Sequence, residues 1–465
     1  MFFRQVYDKT LSHASYVIGC QVAGTALVID PQRDVDVYLQ IAAENNLKIT
    51  GIAETHIHAD FLCGSRELAA LTGATMYLSD EGGPDWQYSF DHVGLKHGSI
   101  IKLGNLTFEV VHTPGHTPES ITFLLRDHPA TDAIVMAFTG DFVFVGDIGR
   151  PDLLEVAAGI KNTKVLGAQQ MYDSISKFAK LPEYIQVWPA HGAGSACGKA
   201  LGAVPSSTVG YEKIRNWAFQ YEDDKKGFVD TLLDGQPEPP KYFAMMKHLN
   251  KEDRHLLTSV PKHPILTTSE FDIARSKNLT IIDTRNKVDF AKSHLPGAIN
   301  IQNNNSFATW AGWFLNYTEQ FILIAPENQM EDLTRKLMRI GLDNIFGFMT
   351  DLPDSRGNFE IVDNIPAEEL QAAVGNDAIQ IVDVRNSTEF KDGHIEGAVN
   401  AFVGTLPDNL DLIDRNREVI IHCQAGDRSS IAYSILQANG FTNIKNYPGG
   451  MKEWKELGNK VVTSN

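Results

Sequence analysis

Short apolar runs, each spilling into a polar loop, organise the first half of the chain. Ile49–Ala53, Leu106–Val111 and Ala133–Phe138 read as buried strands, and Val187-Trp188-Pro189 as another. Ser15–Gly19 reads as the first strand of the fold. The loops after these runs carry histidines and carboxylates. His56, His58 and Asp60 follow the Ile49 run, His116 sits in Thr113-Pro114-Gly115-His116-Thr117, Asp141 in Thr139-Gly140-Asp141, and His191 follows Pro189. Loops at strand ends can converge on one point, and a metal site requires such convergence.

The second half alternates short apolar strands with helices, the pattern of an α/β sheet, and then repeats itself. Asp283-Thr284-Arg285 and His294-Leu295-Pro296-Gly297-Ala298-Ile299-Asn300 recur one hundred residues later as Asp383-Val384-Arg385 and His394-Ile395-Glu396-Gly397-Ala398-Val399-Asn400. Both copies continue into a helix that ends before Gly341 or Gly440. Breaks fall at Gly235–Pro240, followed by a helical segment over Tyr242–Leu249, at Pro261–Pro264, and at Asp351–Gly357, which has turn chemistry. The expected domains are 1–255, 262–352 and 360–462.

A length of 465 residues, at about 150 per domain, agrees with three domains. The net charge of −17, from 41 basic and 58 acidic residues, speaks against a nucleic-acid-binding surface. No apolar stretch of about twenty residues is present, so neither a signal peptide nor a membrane span is expected. The four cysteines form no paired framework, which suits a reducing, cytoplasmic setting. Cys20 and Cys63 read as packed thiols.

The segment His56-Ile57-His58-Ala59-Asp60-Phe61, taken with His116 and Asp141, resembles the metal motif of the metallo-β-lactamase fold, an αββα architecture. In dinuclear members of that fold the residue after the aspartate is a histidine that helps hold a second metal. Phe61 cannot ligate. The resemblance then implies a mononuclear set of His56, His116 and Asp141, with open positions that suit non-heme Fe(II) acting on O2. The order of motifs is similar to that of the persulfide dioxygenases (sulfur dioxygenases). Asp60 and His191 are expected either to orient the ligands or metal-bound water by hydrogen bonds or to be structural. His58 reads as structural or supporting, and His112 as a packing or solvent-facing residue. Cys197 lies in the small-residue loop Ala193–Lys199, which can reach the pocket, and is a candidate contact for the substrate sulfur. The resemblance also implies that Arg150, in Gly149-Arg150-Pro151-Asp152, supports an anionic thiol substrate. A loop ion pair with Asp147 or Asp152 is the competing role.

The second copy resembles a rhodanese domain and closes with Tyr447-Pro448-Gly449-Gly450-Met451-Lys452-Glu453-Trp454. Its strand Val419–His422 delivers Cys423 into the loop Gln424-Ala425-Gly426-Asp427, ahead of Arg428 and a helix. Successive N–H groups and the helix N-terminus favour an anionic sulfur there and would stabilise a persulfide. Arg428 adds positive charge for thiosulfate or sulfite. Cysteine phosphatases use a similar strand, loop and helix, with a longer loop between Cys and Arg. The first copy has Phe321–Asn328 in this place, without a cysteine, and Pro326 removes a backbone donor. It reads as an inactive spacer or docking module.

These resemblances imply an α/β multidomain enzyme of sulfide detoxification. It would oxidise a low-molecular-weight thiol persulfide with Fe(II) and O2 to sulfite, coupled to sulfur transfer to or from thiosulfate at Cys423. Fusion would raise the local concentration of the shared intermediate. The alternatives are a zinc thioester hydrolase of the glyoxalase II type, against which Phe61 stands, and a sulfur-relay protein whose metal domain is only a scaffold. The thiol carrier, the oligomeric state, including a homo-oligomer, and the direction of transfer stay open.

Overall fold

The computed structural model describes residues 1–465 except 154, 156–162, 200, 351, 353–358 and 465. The chain divides into two compact units, Met1–Pro261 with Arg335–Gly341, and Lys262–Thr334 with Leu342–Asn465.

In the first unit, two six-stranded sheets carry the site. One runs in the order β1 (Phe2–Asp8), β2 (His13–Cys20), β3 (Thr25–Ile29), β4 (Lys48–Ala53), β5 (Thr75–Ser79), β6 (Val93–Leu95). The other contains β7 (Ile100–Leu103), β8 (Leu106–His112), β9 (Ile121–Asp127), β10 (Ile134–Gly140), β11 (Gln186–Pro189) and β12 (Ser207–Thr208), ordered β12-β11-β10-β9-β8-β7. Alternation along the strands explains the layering. Tyr16, Ile18, Leu27 and Ile29 of the first sheet meet Phe108, Val110, Phe123 and Phe138 of the second in one core between them. Val17, Val28 and Ile52 face outward, against Tyr38 and Ala42 of helix Asp36–Glu44 and Leu68 of helix Ser65–Thr72. Ala137 and Val187 pack outward against Met171, Ile175 and Phe178 of helix Thr163–Phe178. The fold is therefore helix, sheet, sheet, helix, as expected. The expected first strand is corrected: Ser15–Gly19 lies within β2, and β1 precedes it, paired antiparallel from Phe2 opposite Gly19 to Asp8 opposite His13.

In the second unit, β13 (Thr280–Asp283), β14 (Ile299–Asn300), β15 (Phe321–Ile324) and β16 (Ile345–Met349) form a parallel sheet ordered β14-β13-β15-β16. The strands β17 (Ile379–Asp383), β18 (Val399–Asn400), β19 (Glu418–His422) and β20 (Ile444–Tyr447) repeat the order as β18-β17-β19-β20. The duplicated motif is structural. Arg285 and Arg385 pair with Asp283 and Asp383 at 2.6 Å, and His294 and His394 stack on Phe290 and Phe390 at 3.8 Å. The Asp351–Gly357 turn lies outside the described residues except for Leu352. Among the described residues, no helix is long and apolar enough to cross a membrane.

Candidate metal centre and cysteine loop

His56, His116, Asp141 and His191 each stand just past the end of β4, β8, β10 or β11, and the sandwich brings these loops together. The ligating atoms of His56, His116 and Asp141 all lie within 4.8 Å of one another, and all three residues are buried. Asp141 Oδ2 lies 3.5 Å from His116 Nε2 and 3.8 Å from His56 Nε2.

The hydrogen bonds set the tautomers. His116 Nδ1 donates to the Arg150 carbonyl at 2.9 Å and His191 Nδ1 to the Ser12 carbonyl at 3.2 Å. Thr55 Oγ1 spends its proton on Asp30 Oδ2 at 2.9 Å, so His56 Nδ1 must be the donor in its 3.0 Å contact with that hydroxyl. The His56 and His116 rings thus turn an Nε2 lone pair toward the Asp141 carboxylate. The Nε2 atoms of His56 and His191 and both oxygens of Asp141 are buried without a hydrogen-bond partner. Lone pairs facing a buried carboxylate are costly unless a cation lies between them, so the residues fit a metal. Burial lowers the His56 pKa, reinforced by His58 and His116, and burial also lowers that of His116. Both are thereby kept as neutral ligands.

A second group stands beside the first. Asp60, His191 and Cys197 also place donors within 4.8 Å of one another. His191 Nε2 lies 3.2 Å from Asp60 Oδ2 and 3.4 Å from Asp141 Oδ1. Burial opposes a charge on His191, but Asp141 and Asp60 prevail and raise its pKa. Burial, with Asp141 and Asp60, pushes the Cys197 thiol up. Phe61 is buried, its ring 3.9 Å from that of His13 and 4.3 Å from that of His58. His58 faces Asp30 at 3.1 Å, which outweighs burial and raises its pKa. His112 is a bracing residue, its Nε2 bonded to the Pro118 carbonyl at 2.8 Å.

Arg150 pairs with Asp152, the contact that both of its expected roles share. Nε and Nη2 bond Oδ1 and Oδ2 at 2.8 and 2.6 Å. Its backbone N–H donates to the Cys197 carbonyl, so Arg150 ties the His116 side of the pocket to the Cys197 loop. Asp147 instead receives Trp217 Nε1 and the Lys199 N–H. At Gly149 an added Cβ would lie 1.8 Å from the Asp141 carbonyl oxygen and 3.1 Å from His116 Cβ. Gly149→Ala is expected to cost about 3 kcal/mol of stability and to lower metal retention about tenfold, read by thermal unfolding and metal analysis.

In the second unit Cys423 follows β19, with Gly426 donating its N–H to Sγ at 3.1 Å. Gly426 takes φ +90° and caps helix Asp427–Ala438, a turn that aims its own N–H at the sulfur. The closing segment braces the loop from behind, with Met451 N bonded to the Cys423 carbonyl at 2.8 Å and Lys452 N to that of Gln424 at 3.0 Å. Arg428 is held by Glu389, Nη1 to Oε2 at 2.5 Å and Nη2 to Oε1 at 2.8 Å, which partly balances its charge. In the first copy Ile324 leads through Pro326 into helix Met330–Met338, and no cysteine is present.

Residues 9–191 match the family model of the metallo-beta-lactamase superfamily, and residues 270–348 and 366–457 that of the rhodanese-like domain. The chain is 30% identical over 200 residues to persulfide dioxygenase ETHE1, mitochondrial, of Bos taurus, across 41% of this chain and 68% of that protein. The chain belongs to the metallo-β-lactamase superfamily. Within that superfamily it is a fusion with rhodanese-like domains, related to ETHE1-type persulfide dioxygenases. It is also 32% identical over 170 residues to the hydroxyacylglutathione hydrolase of Francisella tularensis subsp. novicida (strain U112), covering 36% of this chain and 58% of that one. A crystal structure of a metallo-beta-lactamase from Staphylococcus aureus subsp. aureus COL is 44% identical, with a TM-score of 0.68 over 75% of this chain and 98% of that chain.

Several residues of this superfamily member's pocket escaped the sequence reading. His13, at the start of β2, packs between Phe61 and His191. Asn250 donates to the carbonyls of His58 and Phe61 at 2.8 Å and accepts from Cys63 N, while the Tyr242 hydroxyl donates to the Asp60 carbonyl. The helix expected over Tyr242–Leu249 forms at Phe243–Lys251, and with Tyr242 it clamps the metal loop. No local motif marks Asn250 for that task.

Proposed function

We propose that this chain is a mononuclear Fe(II) persulfide dioxygenase coupled to a sulfurtransferase. What carries the reading is the pair of Nε2 donors of His56 and His116 facing the Asp141 carboxylate, with Phe61 in the place where the dinuclear pattern expects an imidazole. The relative named persulfide dioxygenase supports it. His56, His116 and Asp141 would hold the metal, and the chemistry supplied by iron bound there is electron transfer between sulfur and O2. Arg150 and Asp152 keep His116 oriented through the Arg150 carbonyl. Cys197, a buried thiol beside Asp141, contacts the substrate sulfur, and the burial of the pocket keeps bulk water from the reacting atoms.

The overall change is RSSH + O2 + H2O → RSH + H2SO3. At Cys423 the thiolate takes the outer sulfur of a second persulfide and releases RSH. Sulfite then attacks that sulfur, giving thiosulfate and restoring the thiolate. The Gly426 N–H and the helix N-terminus hold the anion in both forms. Starting from thiosulfate, the same steps run in reverse. The free state of all four cysteines suits a reducing compartment such as the cytoplasm.

Oxygen uptake by the iron-loaded protein given glutathione or coenzyme A persulfide, with sulfite and thiosulfate quantified, tests the reading. Rapid uptake with one iron per chain is expected. If no persulfide is consumed, the dioxygenase assignment is lost. Cys197→Ser is expected to lower persulfide turnover about tenfold, and unchanged turnover would remove Cys197 from the substrate path.

One observation favours a second reading. The Asp60, His191 and Cys197 donors could hold a further ion, as a thioester hydrolase of the hydroxyacylglutathione hydrolase kind would need. Two zinc ions per chain with thioester cleavage and no oxygen uptake would select it.

A further inference from the structure

Helix Lys287–Lys292 of the cysteine-less copy sends one side chain into the loop of the other copy. Lys287 Nζ donates to the Ala425 carbonyl and to Asp427 Oδ1, the latter at 2.7 Å. The Ala425 carbonyl and the Gly426 N–H are the two ends of one peptide group, and that N–H donates to Cys423 Sγ at 3.1 Å. A cation at the oxygen end of a peptide polarises it and strengthens its N–H as a donor. An unbroken line of hydrogen bonds therefore runs from the Lys287 ammonium through one peptide to the sulfur.

Two further features belong to this contact. At Gly426 an added Cβ would lie 3.0 Å from Lys287 Nζ and 2.6 Å from the Pro448 carbonyl, so the lysine approaches where only glycine stands. The helix that starts at the loop is pinned by the same copy: Ser430 Oγ donates to Asn300 Oδ1 at 2.7 Å, Asn300 N to Ser434 Oγ at 3.1 Å, and His294 Nε2 meets Gln437 Oε1 at 2.9 Å. The repeat alignment places Ser387 where the first copy has Lys287, after Asp383-Val384-Arg385-Asn386 and Asp283-Thr284-Arg285-Asn286 respectively. The lysine thus belongs to the copy that lost the cysteine.

We propose that the cysteine-less copy completes the Cys423 site, with Lys287 as a positioning residue that fixes and polarises the Ala425–Gly426 peptide and so keeps the sulfur reactive. This rests on the reading of Cys423 as the sulfur carrier. Lys287 acts through the peptide, on an anionic sulfur in thiolate or persulfide form. The other charges around the loop are Arg428, paired with Glu389, and Asp427, paired with Lys287.

The test uses the full-length protein and its Lys287→Met, Lys287→Gln and Lys287→Arg variants. The rate of Cys423 alkylation by iodoacetamide at fixed pH is followed on the Cys423 peptide by mass spectrometry, beside kcat and KM for sulfur transfer from thiosulfate to cyanide. Lys287→Met is expected to slow alkylation about fivefold and to lower kcat by a similar factor with KM little changed, and Lys287→Arg to restore both to within about twofold. Lys287→Gln, which keeps a donor without the charge, should fall between them and serves if the methionine variant does not fold. Oxygen uptake on persulfide should not change. A lysine that only braced the two copies would, on removal, expose the buried Cys423 and speed its alkylation. That result, or an unchanged rate, overturns the proposal. A wild-type protein whose Cys423 alkylates readily yet transfers no sulfur would instead refute the sulfurtransferase reading, and the alkylation series would still judge Lys287.

Discussion

Asp141→Asn is expected to abolish persulfide-dependent oxygen uptake while making the metal-free protein more stable. The carboxylate is the anionic member of the candidate ligand set, with Oδ2 3.5 Å from His116 Nε2 and Oδ1 3.4 Å from His191 Nε2. An amide of the same shape carries no charge to balance a divalent cation. Metal affinity should fall at least about a hundredfold, and with it the oxygen uptake proposed for this site. Without metal the balance reverses. Both Asp141 oxygens and the Nε2 atoms of His56 and His191 are buried and unpartnered. An asparagine NH2 can donate to the His56 Nε2 lone pair and removes a buried negative charge that His191, which also faces Asp60, offsets only in part, a gain of about 1–3 kcal/mol. Metal analysis and thermal unfolding with and without chelator read both effects. If the chelated variant melts below chelated wild type, Asp141 is a structural carboxylate and the metal assignment weakens.

Cys423→Ser is expected to remove sulfur transfer, by at least about a thousandfold, and to leave oxygen uptake at the wild-type rate. A serine oxygen cannot carry a sulfane sulfur, so the product should shift from thiosulfate to sulfite. The loop itself should persist, since Gly426 N finds an acceptor in either side chain, and stability should change by less than about 1 kcal/mol. Sulfite and thiosulfate quantified during oxygen uptake supply the check. Undiminished thiosulfate from the serine variant would place its formation elsewhere.

Much of the architecture could be read locally. Strand runs ending in His56, His116, Asp141 and His191 mark themselves, because each histidine or carboxylate lies within a few residues of the apolar run that positions it. The duplication showed in the same way, through Asp283-Thr284-Arg285 and its later copy. The opening strand Phe2–Asp8 did not, because its burial is only partial along most of its length and an open edge leaves no clean alternation.

The amino-acid sequence by itself determined which loops carry donors, that one unit holds the histidine and carboxylate pattern and another a cysteine loop, and that the remaining copy lacks the thiol. Only the tertiary structure decided what meets those groups. Cys197 arrives beside Asp60 and His191, Asp30 faces His58, Asn250 holds the metal loop from a distant helix, Glu389 pairs with Arg428, and Lys287 reaches the Cys423 loop. Apart from Cys197, which is close in sequence to His191, each of these partners comes from far along the chain. Strand periodicity and loop chemistry are set by neighbours within a few residues, whereas such pairings follow from how sheets and helices pack, which no local pattern encodes.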